Sequence, residues 1–180
     1  MAPKDEFHHF YRQSAIFVYA MGEDEDMDNE YVIRGAIIDH PTPFTLGETT
    51  DESAGVAKNN PLADNFIFRG GDKGDEIILM LHNQESIGKG NMIGTSGIYE
   101  GGIMEALEAG AKEDVDPLSF KFFFGFVQFT ENELEQMLDD SPWLSVEVPP
   151  DYVLDIDLDR GDCWRRLRNA LHTERGDDDE

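Results

Sequence analysis

The sequence predicts an α+β fold, and three observations carry that prediction. Runs of β-branched and aromatic residues recur along the 180-residue chain. Only a few short stretches carry helical periodicity. The two kinds of segment do not alternate strictly, which argues against a doubly wound parallel sheet. A chain of this length buries roughly 70% of its unfolded surface, enough for one core, and the sequence divides into a single domain over 1–172 and an acidic tail over 173–180.

"RQSAIFVYAM" (12–21) reads as a buried strand with no polar residue after Ser14. It ends at "GEDEDMDNE", where six carboxylates among nine residues cannot be buried together and so form a solvated tip. "YVIRGAIID" (31–39) is the next strand, giving an antiparallel hairpin, and the prolines of "HPTPF" break it. A polar connection over 45–64 holds at most one weak helical turn. "NFIFRGG" and "EIILMLHN" read as strands joined by "GGDKGD", a second hairpin. "IMEALEAG" is a short helix with Ile103, Ala106 and Leu107 on one face and Gly110 as its C-terminal cap.

In "SFKFFFGFVQF" one alternating set is Phe120, Phe122, Phe124 and Phe126; the other is Lys121, Phe123, Gly125 and Val127. Both sets are apolar in the middle, which predicts a central strand covered on both sides, with its phenylalanines in the core. Thr130 and Glu133 have capping-box spacing, and Phe129 with Leu134 fits the flanking staple, so a helix starts at Thr130 and stops at Pro142. "WLSVEV" reads as a strand, and the alternation of "YVLDIDLDRGD" as a solvent-facing strand side. "CWRRLRNALHTER" is a helix with Trp164, Leu167 and Leu171 on one face.

Charge excludes whole classes of function. With 39 acidic and 14 basic residues the net charge is -25, a field that repels nucleic acid and anionic membranes, so neither is expected as a direct partner. No apolar run approaches the ~20 residues of a membrane span, so a soluble intracellular protein without membrane insertion is expected. The single cysteine, Cys163, reads as a packed thiol in a reducing compartment. The basic residues Arg165, Arg166 and Arg168 stand out as a candidate partner surface, weighed against a helix whose cations simply favour the acidic body.

No constellation carries recognisable catalytic or metal chemistry. "DEDMDNE" and "DIDLDRGD" space aspartates as a calcium loop does, but both lack the glycine and the closing glutamate, and the histidines are scattered, so no metal is expected. "IGKGN" is not a phosphate loop. "GIYEGG" opens a helix, where amides can hold an anion, which makes Gly101 and Gly102 candidate binding residues; packing of the helix start is the favoured account. A hydrolase would need a serine such as Ser96 beside His40 or His82, and nothing in the sequence assembles one.

Taken in order, the segments resemble those of the AlgH-like family, also known as YqgE or DUF179. "RGAIIDHPTPFTLGE" is similar to its Gly-x-Val-x-Asn-Arg-Pro-Thr segment, keeping Pro41 and Thr42. "FRGGDKGDEIILMLHN" is similar to its Gly-Gly-Pro then Leu-His element, keeping Gly70, Gly71, Leu81 and His82. "GIYEGG" and the phenylalanine block, with Gly125, Leu134 and Trp143, match the rest. The chain departs at Asp39 and His40, where the family has Asn-Arg, at Asp72, where it has proline, and at Phe129, where it has tryptophan. The glycines and apolar members are thus kept while several polar ones change. The chain begins close to the family's second strand, so an N-terminal strand or upstream segment is expected to be missing.

The resemblance implies a mixed, largely antiparallel sheet curled into a pseudo-barrel with flanking short helices. It does not imply an enzyme, and no cofactor is expected. The favoured reading is a non-catalytic regulatory or scaffolding protein acting through an unidentified protein partner, with homo-oligomers open, in the cytoplasm of a bacterium or the plastid of a plant or alga. The alternative is a small-molecule-binding or hydrolytic protein whose pocket is formed by the 39–42, 70–72 and 82 segments, with Asp39, His40, Arg69, Gly70, Gly71 and His82 as its residues.

Overall fold

A computed structural model describes residues 11–24, 29–49, 56–57, 59–139 and 143–176, apart from the side chains of 75 and 172–176. The first calcium-like run and the acidic end at 177–180 lie largely outside these residues. The fold is α+β, with a curled, mostly antiparallel sheet forming a half-barrel. Its strands are β1 (Ile16–Asp24), β2 (Glu30–Ile37), β3 (Pro41–Thr45), β4 (Phe66–Arg69), β5 (Lys73–His82), β6 (Gly90–Met92), β7 (Tyr99–Gly101) and β8 (Phe120–Thr130). The helices are α1 (Leu46–Thr49), α2 (Ile103–Gly110), α3 (Glu131–Asp139), α4 (Pro150–Leu154) and α5 (Asp162–Gly176).

β8 is the central strand. Its last residues pair antiparallel with β2, its first half pairs parallel with β4 on the same edge, and β5 runs antiparallel along the other edge. The expected β1–β2 hairpin forms, with Ile16 opposite Ile37. The expected second hairpin does not: β4 pairs with β3 and β8, never with β5, because β8 inserts between them. The prolines of "HPTPF" end β2 as expected but open β3, an edge strand with a single neighbour, where a missing amide is tolerated.

Both faces of β8 are covered, as its sequence predicts. Phe68, Leu79, Leu81 and Phe123 pack with Ala36, Ile38, Val153, Leu158 and Cys163 on one face. Met80, Phe120 and Phe122 pack with Leu46, Leu62, Ile67, Ile87, Ala106 and Leu107 on the other. Phe120, Phe122 and Phe123 are completely buried. Truncating any of them to alanine costs about 3–5 kcal/mol by analogy with other cores. A third cluster, Tyr11, Ile37, Val127 and Phe129, receives Leu134 and Met137 of α3.

Two strand expectations in the C-terminal third fail. Residues 143–149 carry neither helix nor strand. "YVLDIDLD" forms α4 followed by irregular chain, because Val153, Leu154 and Leu158 all turn inward to the same cluster instead of alternating along a sheet. The capping box of α3 forms as read: Thr130 N–H donates to Glu133 Oε2 at 2.9 Å and Glu133 N–H to Thr130 Oγ1 at 3.2 Å.

Candidate functional site

The segment after β2 delivers Asp39 and His40 into the half-barrel beside the start of α5. Asp39 is fully buried. Its Oδ1 accepts from Ala15 N–H at 3.2 Å and its Oδ2 from Trp164 N–H at 3.4 Å, in the first turn of α5. A carboxylate aimed at helix amides favours that terminus, so Asp39 caps α5 from a distant part of the chain. Burial raises its pKa, opposed by the two amides and by nearby Lys121. His40 Nε2 lies 2.9 Å from Ser14 Oγ, both buried. Burial, then the charges of Arg160 and Arg69, lower the His40 pKa to about 4, so the ring is neutral near pH 7.

Lys121 is the residue that sequence reasoning underrated. It interrupts the phenylalanines, is fully buried, and donates from Nζ to the carbonyls of Ile38 at 2.7 Å, Val153 at 3.1 Å and Asp155. Its ammonium also lies 4.2 Å from the centroid of the Phe68 ring. Three carbonyls match the three donors of an ammonium, which is why a lysine can sit there at all. Burial pushes its pKa down to about 7, opposed by Asp155, Cys163 and Asp39. Cys163, beside it, is buried and pushed up to about 11 by that burial. Lys121 and Asp39 together fasten the chain from Val153 to Trp164 onto the sheet.

Gly70 and Gly71 lie where β4 leaves the sheet and crosses β8. A Cβ on Gly70 would overlap the Gly125 carbonyl oxygen, and one on Gly71 the backbone carbonyl of Phe126. Both are backbone obstacles that cannot rotate away, and Gly125 itself has φ +64°. Arg69, exposed, donates from Nε to Gly71 O at 3.4 Å. Arg69 N–H donates to His40 O and Ile37 N–H to Gly70 O, so the 39–40 and 69–71 segments do meet.

His82 is elsewhere. In the β5–β8 register Leu81 faces Lys121 and His82 faces Phe120, which puts His82 on the opposite face of the sheet from Lys121. Its ring stacks between Tyr99 and Phe120 at 5.4 and 5.5 Å, and Nδ1 accepts from Gln84 N–H at 3.2 Å. Its Nε2 is buried with no hydrogen-bond partner among the described residues. Burial lowers its pKa. Gly90 packs against the ring, and a Cβ there would come within 2.9 Å of Nε2. Gly101 and Gly102, both with positive φ, turn the chain into α2, and Gly102 abuts the Gly88 carbonyl. Glycine is needed there by space and by backbone conformation.

The arginines of α5 have partners within the chain. Arg165 pairs with Asp162, Arg166 with Asp155 at 2.8 Å, and Arg168 lies 5.1 Å from the Trp164 ring centroid. Two shallow depressions lie away from all these residues. One of about 360 Å³ is lined by Glu30, Tyr31, Thr130, Glu131, Asn132 and Glu135. The other, about 190 Å³, lies along β1 and β2 from Ala20 to Arg34. Among the described residues no three His, Cys, Asp or Glu are grouped to hold a metal ion, and no helix is long and apolar enough to cross a membrane.

A family model described as AlgH-like matches residues 6–175. No curated protein matches the sequence. Among solved structures, the chain is similar to the solution structure of AlgH from Pseudomonas aeruginosa, with 20% identity, a TM-score of 0.58 and 87% of this chain and 86% of that one covered. It is also similar to the crystal structure of a Corynebacterium diphtheriae protein, with 13% identity, a TM-score of 0.60 and 86% and 75% covered. At these identities the likeness shows a shared fold.

Proposed function

The chain belongs to the AlgH-like family, and from that premise we propose that it is a non-catalytic regulatory or scaffolding protein acting through a protein partner. One observation carries this reading: the buried charged groups Asp39 and Lys121 are spent inside the fold. Asp39 caps α5, and Lys121 is bound by three carbonyls. Gly70 and Gly71 make room for β8. What remains outside is dominated by carboxylate, a surface suited to electrostatic recognition of a cationic protein and unsuited to nucleic acid. Its place is the cytoplasm of a bacterium, or the plastid of a plant or alga. The test is affinity capture from native extract, followed by reconstitution with the purified candidate. A stoichiometric complex is expected; repeated failure to recover one counts against the reading.

A second reading, hydrolysis, draws on the hydrogen bond between Ser14 and His40, the arrangement of a nucleophile and its base. Three facts weigh against it. Both groups are buried, the imidazole is a weak base with a pKa of about 4, and Asp39 spends its oxygens on the amides of Ala15 and Trp164. A pocket joining His82 to the 39–42 and 70–72 segments has less support, since His82 lies across the sheet from Lys121. A fluorophosphonate probe that labelled Ser14 stoichiometrically would move the balance to hydrolysis.

A further inference from the structure

Residues 143–149 have the composition of a strand and lack a strand's partners. The segment contains no helix, strand, turn or bend. Both ends are anchored: Trp143 meets Tyr11 edge-on at 6.3 Å in the third cluster, and Val148 packs against the first. Between the anchors Leu144 is 66% and Val146 38% exposed. Ser145 and Glu147 are exposed too. Among the described residues, no backbone amide or carbonyl of 144–148 has a hydrogen-bond partner. An anchored run of strand-forming residues with unpaired main-chain groups is a template for strand addition.

We propose that 143–149 is a docking edge for a basic, extended segment of the partner protein, which adds to it as a β-strand. This rests on the scaffolding reading and specifies its partner. Main-chain hydrogen bonds supply the pairing. Leu144 and Val146, two residues apart, fall on one face of an extended chain and take apolar residues at every second position of the incoming strand. Charge selects the rest: Glu147 in the segment, exposed Asp151 just after it and a net charge of -25 favour lysine or arginine between those apolar residues. The same field disfavours a second copy of this chain as the occupant.

The test uses the full chain and a labelled ten-residue peptide alternating valine and lysine, with a peptide of the same composition in two blocks as control. The alternating peptide is expected to bind more tightly than the block peptide and to protect backbone amides within 144–148 from hydrogen exchange. Ser145→Pro and Val146→Pro each remove one amide, and successive amides point to opposite edges of a strand. Val146→Pro also removes an apolar side chain of the docking face and is expected to weaken binding about tenfold or more, while Ser145→Pro, which removes an amide alone, does so where that amide faces the incoming strand, both with an unchanged melting temperature. Equal binding of the block peptide, or undiminished binding by both variants, overturns the proposal in favour of charge alone. Self-association abolished by either variant overturns it in favour of a second copy. A captured partner whose affinity neither variant alters would leave the scaffolding reading standing while this one fails.

Discussion

Lys121 and His82 are both fully buried near the centre of the sheet, on opposite faces, and the chain treats them in opposite ways. Lys121 is satisfied by three carbonyls that come from the end of β2 and from the far end of the chain. His82 is held by ring stacking and the Gln84 amide, with the Gly101 amide beside its ring, and its Nε2 meets no partner in hydrogen-bond geometry among the described residues. The difference shows where polar bonding is needed. On the Lys121 face, a stretch with little regular structure must be fastened to the sheet, and directional bonds fix where it lies. On the His82 face, α1, α2 and the strands seal an apolar cluster by packing, so a ring of roughly the right shape suffices.

The largest effect is expected at the crossing that brings β4 and β5 to opposite edges of β8. Gly71→Ala places a methyl group against the Phe126 backbone, and a loss of more than about 4 kcal/mol, read as failure to fold or a collapsed denaturation midpoint, is expected.

Next comes Lys121→Met, which orphans three carbonyls and is expected to cost about 2–4 kcal/mol in denaturant titration. The loss also depends on pH. The folded pKa of about 7 is below the unfolded value of 10.5, so between those limits the unfolded state binds more protons and stability rises with pH. Below pH 7 the full cost of the buried charge is present. The wild type therefore gains up to ~1.4 kcal/mol per pH unit over that window from this group, the variant gains nothing from it, and the gap between them widens as pH rises.

Ser14→Ala is expected to cost about 1 kcal/mol through the lost bond to His40. His40 sharpens the same face at lower pH. Its folded pKa of about 4 lies below the unfolded 6.5, so the unfolded state takes up the proton first and stability falls as pH drops from 6.5 towards 4. Acid titration of His40→Gln, which removes that group, is expected to show a shallower decline over this range. The smallest effect belongs to His82→Phe, expected within about 1 kcal/mol of wild type because stacking between Tyr99 and Phe120 is kept.

What was legible in the sequence was local. The capping box of α3, the β1–β2 hairpin and the two apolar faces of β8 are written within short windows, and the structure contains all three. The β4–β5 pairing was misread because Gly70–Gly71 reads locally as a tight reversal, whereas the two glycines form no turn and clear the way for β8, a strand some fifty residues further on. The burial of Lys121 could not be read, since its acceptors lie at residues 38, 153 and 155. Ser14 was missed because its partner, His40, lies across the first hairpin. The strand expected at 143–148 was a sound reading of propensity, but no strand of the described residues pairs with it. Of the candidate residues, Gly101 and Gly102 were legible as glycines of a helix start, whereas the need for Gly70 and Gly71 came from the approach of β8 and the place of Asp39 from a helix more than a hundred residues away.

The central claim is that the polar residues of the matched segments fasten the C-terminal chain to the sheet. Hydrogen exchange of Lys121→Met against wild type, at a pH where both are folded, tests it most directly. The expected result is faster exchange concentrated in α4 and the first turn of α5, with the β5–β8 ladder still protected. Unchanged exchange in α4 and α5, or a uniform acceleration that includes the ladder, would contradict it.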